Sequence, residues 1–263
     1  MLLAGNLGGV ILLSEGVSKM VKFLSDVGNY RKVNEDYIDY YSDNLKSIYV
    51  IADGMGGHNA GDIASKLAVE NTINYLNSLP NIENMEEDLR NAIADSNIKI
   101  HELSKSSDEL IGMGTTITAC MISGSDMIVA NVGDSRCYII KGEKLIRVTK
   151  DHSLVQQLVD EGSITESEAI SHPNKNIITR ALGTKNTVEI DTYLCNLKEI
   201  SKVILCTDGL YNMVKEEELY DIVMNNDNYC IELIELSKSR GGKDNISVMV
   251  FEGECRDDRN YSR

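Results

Sequence analysis

The segment IYVIADGMGGHNAG, residues 48–61, begins as an apolar run and changes character at Asp53. Its first five residues have the composition of a buried strand, and four of the eight residues from Gly54 to Gly61 are glycine. Glycines leave the backbone bare, so that another group can approach it closely. A carboxylate at the end of a buried strand, followed by such residues, indicates a functional site at that strand end.

Three further segments have strand character, being short, rich in β-branched residues and bounded by Gly, Asp or Asn: MIVANV, KVILCT and ISVMVFE. Apolar residues recur at helical spacing between them. The faces predicted to be buried are Ile63, Leu67, Ile73 and Leu76 in one helix, and Leu89, Ile93, Ile100 and Leu103 in the next. Shorter helices are predicted at 153–160, 166–170, 216–224 and 230–239. Strands and helices come in separate batches, which predicts an α+β fold.

Composition excludes several classes of protein. The chain has 263 residues, of which 42% are hydrophobic, and a formal net charge of -15. This surplus of acid, with no basic cluster, argues against a nucleic-acid partner. No apolar stretch reaches the roughly 20 residues of a membrane-spanning helix, and the six scattered cysteines indicate reduced thiols. We therefore expect a cytoplasmic protein without membrane insertion, and a monomer by default.

Residues 1–19 differ from the rest of the chain. They are apolar but lack the basic flank and the cleavage site of a secretory signal. Codons for Glu15, Gly16 and Val17 can spell a purine-rich ribosome-binding sequence ahead of Met20. We hypothesise that translation starts naturally at Met20, so that 1–19 is an extension from a misassigned start, 20–254 is one domain and 255–263 is a polar tail.

Four aspartates stand at strand termini. Asp53, Asp134 and Asp208 end or nearly end apolar runs, and Asp244 precedes another. A single Asp-Gly pair is an ordinary turn, but strand ends in an antiparallel arrangement can share one edge of a sheet. Carboxylates gathered there either have raised pKa values or hold a cation, and hard oxygen ligands select Mg²⁺ or Mn²⁺. The pattern favours a binuclear metal site, for which the Gly54 carbonyl could be a ligand.

The segment SDVGNYRKVNEDY adds Arg31 and Asp36. A lone arginine is usually a solvated surface charge. An arginine beside a metal cluster, however, can bind a phosphoryl group, because its planar guanidinium group donates hydrogen bonds to two phosphoryl oxygens at once.

Eight motifs in order now resemble those of the bacterial PP2C-type (PPM family) metal-dependent protein Ser/Thr phosphatases: DVGNYRKVNED, ADGMGGHNAG, GMGTT, VGDSR, DHSL, ITRALG, CTDGL and KDNISV. They cover residues 20–251, nearly the whole chain. The resemblance implies a central β-sandwich of two antiparallel sheets flanked by helices on both faces. It also implies hydrolysis of phosphoserine and phosphothreonine by direct attack of a water or hydroxide that bridges two Mn²⁺ or Mg²⁺ ions.

The resemblance also implies a role for each matching residue. Asp53 would bridge the two ions, Asp208 and Asp244 would complete the first, and the Gly54 carbonyl would serve the second. Glu35 and Asp36 would act near the second ion through bound water. Asp134, with Asp208, would hold a third, weaker ion. Arg31 would grip the phosphate.

The general acid is less defined. His58 is the candidate, but animal members of the family carry a histidine directly after the Asp-Gly pair, where this chain has Met55. His58 is therefore either catalytic or structural. His152 and His172 belong to a polar segment, residues 150–183, which resembles the variable flap of the family, and we expect them to shape substrate access. His101 is interpreted as structural.

Partners follow from the same resemblance: phosphorylated proteins, among them a cognate Ser/Thr kinase and its substrates. Three alternatives stay open. The chain could be a non-catalytic docking relative, which the complete ligand set disfavours. It could be a phosphatase of the same fold in an anti-sigma or stress pathway, disfavoured by the lack of a sensor domain. An acidic calcium-binding protein should contain an EF-hand loop, and none is visible.

Overall fold

A computed structural model of the protein describes residues 20–56 and 60–253. The predicted extension at 1–19, the tail at 255–263 and His58 lie outside these residues. Within them the chain forms eleven strands and seven α-helices. The strands are β1 (Val21–Asp26), β2 (Asp36–Ser42), β3 (Ser47–Met55), β4 (Gly114–Thr115), β5 (Ile117–Ser123), β6 (Asp126–Val132), β7 (Arg136–Lys141), β8 (Lys144–Arg147), β9 (Asp191–Asn196), β10 (Ile200–Cys206) and β11 (Ile246–Glu252). The helices are α1 (Gly61–Ser78), α2 (Met85–Leu103), α3 (Leu154–Asp160), α4 (Glu166–Ser171), α5 (Asp208–Tyr211), α6 (Glu216–Asn225) and α7 (Tyr229–Ser239).

The strands build two sheets in which every pairing is antiparallel. One sheet has the order β1-β11-β10-β7-β8, and the other has the order β2-β3-β5-β6-β9, with β4 paired to β3. A core between the sheets includes Tyr49 and Phe251, whose rings stack with centroids 3.8 Å apart. The two sheets therefore form the predicted sandwich.

Helices cover both outer faces of the sandwich. Helices α1 and α2 pack on β3, β5 and β6 through a core that includes Val50 and Leu89. Helices α6 and α7 cover the other sheet through a core that includes Leu219 and Leu233. Residues 48–52 of strand β3 are all apolar because alternate residues face different cores: Ile48 and Val50 face the helices, and Tyr49 faces the other sheet.

The predicted buried face of α1 is partly wrong. Ile73 and Leu76 are buried, but the Ile63 side chain is 41% exposed. The helix instead buries small residues, including Ala64 and Ala68, against the sheet. Small side chains allow the helix backbone to approach the strands closely, and this places Ile63 at the edge of the contact. The face predicted for α2 is correct at Leu89, Ile93 and Ile100, which are fully buried.

The capping box predicted at the start of α4 is present, with Thr165 and Glu168 exchanging hydrogen bonds. The five cysteines of the described residues are free thiols, and all but Cys195 are buried. Among the described residues, no helix is both long and apolar enough to cross a membrane.

Candidate metal centre

The predicted site residues other than His58, which lies outside the described residues, come from chain segments at one end of the sandwich. Asp53 lies near the end of β3, and Asp36 begins the neighbouring strand β2 directly opposite Asp53 in the antiparallel register. Asp134 lies in the turn between β6 and β7, Asp208 begins α5 just after β10, and Asp244 comes shortly before β11. Each pair of antiparallel neighbours brings a strand end beside a strand start, so carboxylates distant in sequence become spatial neighbours.

Asp36 is the most deeply enclosed of these carboxylates, with 3% of its surface exposed. Its Oδ2 accepts a hydrogen bond of 2.8 Å from the Thr207 hydroxyl, whereas its Oδ1 is buried without a partner. A buried carboxylate oxygen that lacks a donor costs free energy. A bound cation or a water molecule would satisfy this oxygen.

Burial and mutual repulsion disfavour the charged forms of these acids. Burial raises the pKa of Asp36 to about 7, and the hydrogen bond from the Thr207 hydroxyl works against the shift. Burial, followed by the charge of Asp151, raises the pKa of Asp134 to about 6. The pKa of Asp53 and that of Asp208 are also raised, first by burial and then by the neighbouring carboxylates. Such a cluster would be stabilised by a bound cation.

Arg31 contacts the cluster directly. Its Nη2 donates to Asp244 Oδ2 at 2.9 Å, and its Nη1 lies 3.9 Å from Glu35 Oε2. The Arg31 side chain is 48% exposed and the Asp244 side chain 35% exposed, so the pair lies at the mouth of the site. Burial raises the pKa of Glu35.

Several carboxylate oxygens already have protein partners. Asn212 Nδ2 donates to Asp208 Oδ2 at 3.1 Å, and the Tyr211 hydroxyl donates to Asp134 Oδ2 at 3.2 Å. In residues 20–56 and 60–253, no group of three or more His, Cys, Asp or Glu side chains is placed, as it stands, to hold a metal ion. The donor set nevertheless suits a hard divalent cation, because it consists of carboxylates and one of its buried oxygens is unsatisfied.

Gly54 has a packing role that the sequence pattern did not reveal. A Cβ at Gly54 would lie 2.0 Å from the Gly61 carbonyl oxygen and 2.7 Å from the Glu35 carbonyl oxygen. The Gly54 amide donates to that Glu35 oxygen at 3.0 Å. The absence of a side chain therefore lets the end of β3, the start of α1 and the Glu35 loop pack together at the site.

Two polar residues from the sequence motifs hold the site together. Asn245 accepts a 2.9 Å hydrogen bond from the Glu35 amide and donates to the carbonyls of Val27 and Val33, so it fastens the Arg31 loop beside Asp244. Thr116 exchanges hydrogen bonds with the backbone of Asp53. The motifs KDNISV and GMGTT contain both residues, but their partners are distant in sequence.

The histidines of the described residues have structural contacts. His152 is buried, its Nδ1 accepts a 3.0 Å hydrogen bond from the Gly133 amide, and its Nε2 lies 3.2 Å from Asp191 Oδ2. His101 Nδ1 lies 2.9 Å from the Gly183 carbonyl oxygen. These contacts tie both ends of segment 150–183 to the sandwich beside the site. The role expected for that segment in substrate access stays a prediction.

Comparison with known proteins agrees with the motifs. The family model "Protein phosphatase 2C" matches residues 30–241. The serine/threonine phosphatase stp of Listeria welshimeri is 39% identical over 238 residues, covering 88% of this chain and 94% of that protein. The protein phosphatase PhpP of Streptococcus pneumoniae is 36% identical over 237 residues, covering 88% of this chain and 96% of that protein.

Solved structures agree as well. The crystal structure of the serine/threonine phosphatase Stp1 from Staphylococcus aureus superimposes with a TM-score of 0.85 at 31% identity, covering 97% of this chain and all of that one. The fold, the family match and these relatives therefore define a serine/threonine protein phosphatase. The chain belongs to the protein phosphatase 2C family. The α+β sandwich and the assignment as a PP2C-type serine/threonine phosphatase, both expected from the sequence motifs, are thereby confirmed.

Proposed function

We propose that this protein hydrolyses phosphoserine and phosphothreonine in phosphorylated proteins by a two-metal mechanism with Mn²⁺ or Mg²⁺. One observation carries the proposal: the carboxylates of Asp36, Asp53, Asp134 and Asp208 lie buried or partly buried at one end of the sandwich, where burial and neighbouring carboxylates raise the pKa of each, and one buried oxygen of Asp36 has no hydrogen-bond partner. Uncharged residues in place of these acids would make the fold more stable, unless the acids hold a ligand of opposite charge.

The ligand assignment follows the family motifs. Asp53 would be shared by two ions, with Asp208 and Asp244 completing one set and the Gly54 carbonyl, Glu35 and Asp36 belonging to the other. Asp134 and Asp208 would hold a third, weaker ion. When bound, the ions supply an activated water nucleophile and positive charge for the phosphoryl oxygens.

The residues of the chain then have distinct tasks. Arg31 lies at the mouth of the site and holds Asp244 through one arm of its guanidinium group. This planar guanidinium group can rotate away from Asp244 and donate hydrogen bonds to two oxygens of a phosphoryl group. The phosphorus atom would then be oriented toward the acids. The serine or threonine leaving group requires a proton, for which His58 is our candidate donor. Its position lies outside the described residues.

Opposition to a serine/threonine protein kinase is a further part of the proposal and depends on family resemblance alone. It predicts that the purified protein removes phosphate from an autophosphorylated kinase of this type. Mass spectrometry of the kinase before and after treatment would show loss of phosphoserine and phosphothreonine. Retention of every phosphate would contradict this part only.

The central experiment measures phosphate release from p-nitrophenyl phosphate and from a phosphothreonine peptide. We expect activity with Mn²⁺, loss of activity in chelator, and loss of activity in Asp208→Asn. Asp221→Asn is the matched control, because Asp221 is exposed on α6 at a distance from the cluster and should keep full activity. A docking relative would bind the metal and release no phosphate.

A further inference from the structure

Tyr211 has a contact that the two-metal proposal does not explain. It is the last residue of α5, the short helix that begins with Asp208, and its hydroxyl donates to Asp134 Oδ2 at 3.2 Å. Residues three apart in a helix lie on the same side of it. One helical turn therefore presents both the Asp208 carboxylate and the Tyr211 hydroxyl toward the turn that carries Asp134.

The ring of Tyr211 is fixed by Arg136, which lies two residues after Asp134. The guanidinium carbon of Arg136 is 3.5 Å from the centroid of the Tyr211 ring. Stacking of a guanidinium group on an aromatic face is favourable and restricts tilting of the ring. The hydroxyl at the far end of the ring is consequently held in one place.

Arg136 is itself held by several contacts. Its Nε and Nη2 donate to the carboxylate of Asp151 at 2.7–3.2 Å, and its Nη1 donates to the Tyr138 hydroxyl at 3.1 Å. Arg147 lies 2.7 Å from the other side of that carboxylate. The motifs VGDSR and DHSL thus supply an ion pair between Arg136 and Asp151. This pair holds the guanidinium group of Arg136 against the ring of Tyr211.

We propose that Tyr211 is a positioning residue that holds the Asp134 carboxylate for the third, weaker ion. A phenol donates one hydrogen bond and carries no charge, so it fixes the rotation of the carboxylate without neutralising it. Groups that orient a metal ligand in this way influence affinity for the metal strongly. The inference depends on the proposed function, because it requires the Asp134 site to bind an ion.

The test measures Mn²⁺ binding to the metal-stripped full chain by isothermal titration calorimetry. Asp134→Asn should abolish the weakest binding step and thereby identify it. Tyr211→Phe retains the stacked ring and removes only the hydroxyl, so it should weaken that same step about 10- to 100-fold and leave the tighter steps unchanged. In the Asp134→Asn background, Tyr211→Phe should have no further effect on the isotherm.

Tyr138→Phe is the matched control. It also removes a buried hydroxyl that contacts Arg136, but this hydroxyl does not touch Asp134. The control should reproduce the wild-type isotherm.

The outcomes separate the two proposals. If the wild-type protein binds Mn²⁺ and Tyr211→Phe gives the same isotherm, the positioning role is overturned and the proposed function stands. Equal weakening of every step, or a further loss in the Asp134→Asn background, also overturns it, because Tyr211 would then not act through Asp134. A wild-type protein that binds no Mn²⁺ overturns both.

Discussion

Thr116 and Asp53 are joined by two hydrogen bonds: the Asp53 amide donates to Thr116 Oγ1 at 2.9 Å, and the Thr116 amide donates to the Asp53 carbonyl at 2.8 Å. Thr116 Oγ1 also lies 2.8 Å from Ser135 Oγ, next to Asp134. Thr116 is fully buried. One hydroxyl therefore links the backbones that carry two of the candidate metal ligands.

Replacement of this hydroxyl should destabilise the protein. Thr116→Val has nearly the same shape but leaves the Asp53 amide and the Ser135 hydroxyl without a partner. We expect the free energy of unfolding to fall by about 1–3 kcal/mol, measured by urea denaturation. Thr116→Ser retains the hydroxyl, so its free energy of unfolding should fall clearly less than that of Thr116→Val. Equal losses in the two variants would show that the methyl group matters instead of the hydrogen bonds.

Arg31 should contribute to phosphate binding and not to metal binding. Arg31→Met should lower kcat/KM for a phosphothreonine peptide by roughly 10- to 150-fold, which corresponds to a loss of about 1.5–3 kcal/mol of transition-state stabilisation, since it removes charge-assisted hydrogen bonds. Arg31→Lys keeps the charge but not the planar fork and should be intermediate. Lys32→Met, an exposed neighbour, controls for loss of a positive charge.

Calorimetry with Mn²⁺ completes this prediction. Arg31 pairs with Asp244 in the structure, so its removal frees a candidate ligand and should not weaken binding of the ion. Weaker Mn²⁺ binding in Arg31→Met would assign Arg31 to the architecture of the metal site.

The sequence predicted four strands with long apolar runs, β3, β6, β10 and β11, but missed others that are largely buried, such as β5 and β7. Strand β3 was recognisable because both of its faces are buried. Strands β2 and β9 were missed because they lie at the edges of their sheet, where residues such as Asp39, Tyr40 and Thr192 are only partly buried and no clear alternation arises. Edge strands form mainly because they pair with a neighbouring strand. Their own sequence therefore shows only a weak hydrophobic pattern.

The same distinction applies to the site. Aspartates at strand ends are visible in the sequence, because the change from apolar to acidic is local. The residues that hold these aspartates in place are not recognisable in this way. Asn245 contacts the Glu35 amide 210 positions away, and Thr207 contacts Asp36 171 positions away. Such roles depend on strand pairing across the whole chain, which no local spacing encodes.

The metal-free protein should lose stability as the pH rises. The pKa of Asp36, at about 7, and that of Asp134, at about 6, lie above the value of about 3.9 expected in the unfolded chain. The folded state therefore binds more protons than the unfolded state between pH 4 and 7, and the free energy of unfolding falls across that range. In chelator we expect a loss of at least about 2 kcal/mol between pH 5 and pH 7.5, measured by urea denaturation.

Two comparisons test the origin of this loss. Mn²⁺ should restore stability at pH 7.5, because an ion that binds only the folded state stabilises it. Asp134→Asn removes one buried charge and should make the chelated protein more stable than the wild type at pH 7.5. A metal-free protein that gains stability with rising pH would show that the acids are not mutually repulsive.

Gly183, where segment 150–183 rejoins the sandwich, should not tolerate a side chain. Its φ is +83°, and an added Cβ would lie 2.4 Å from Ile100 Cγ2 and 3.0 Å from the Met113 carbonyl oxygen. Gly112 is the matched control: its φ is +80°, but no atom lies within 4 Å of an added Cβ. Both replacements by alanine incur the cost of the left-handed conformation, about 1–2 kcal/mol, whereas only Gly183→Ala adds a clash with the Ile100 side chain and a tight contact with the Met113 carbonyl. The free energy of unfolding should therefore fall further in Gly183→Ala than in Gly112→Ala, and equal losses in urea denaturation would show that the loop yields to the new methyl group.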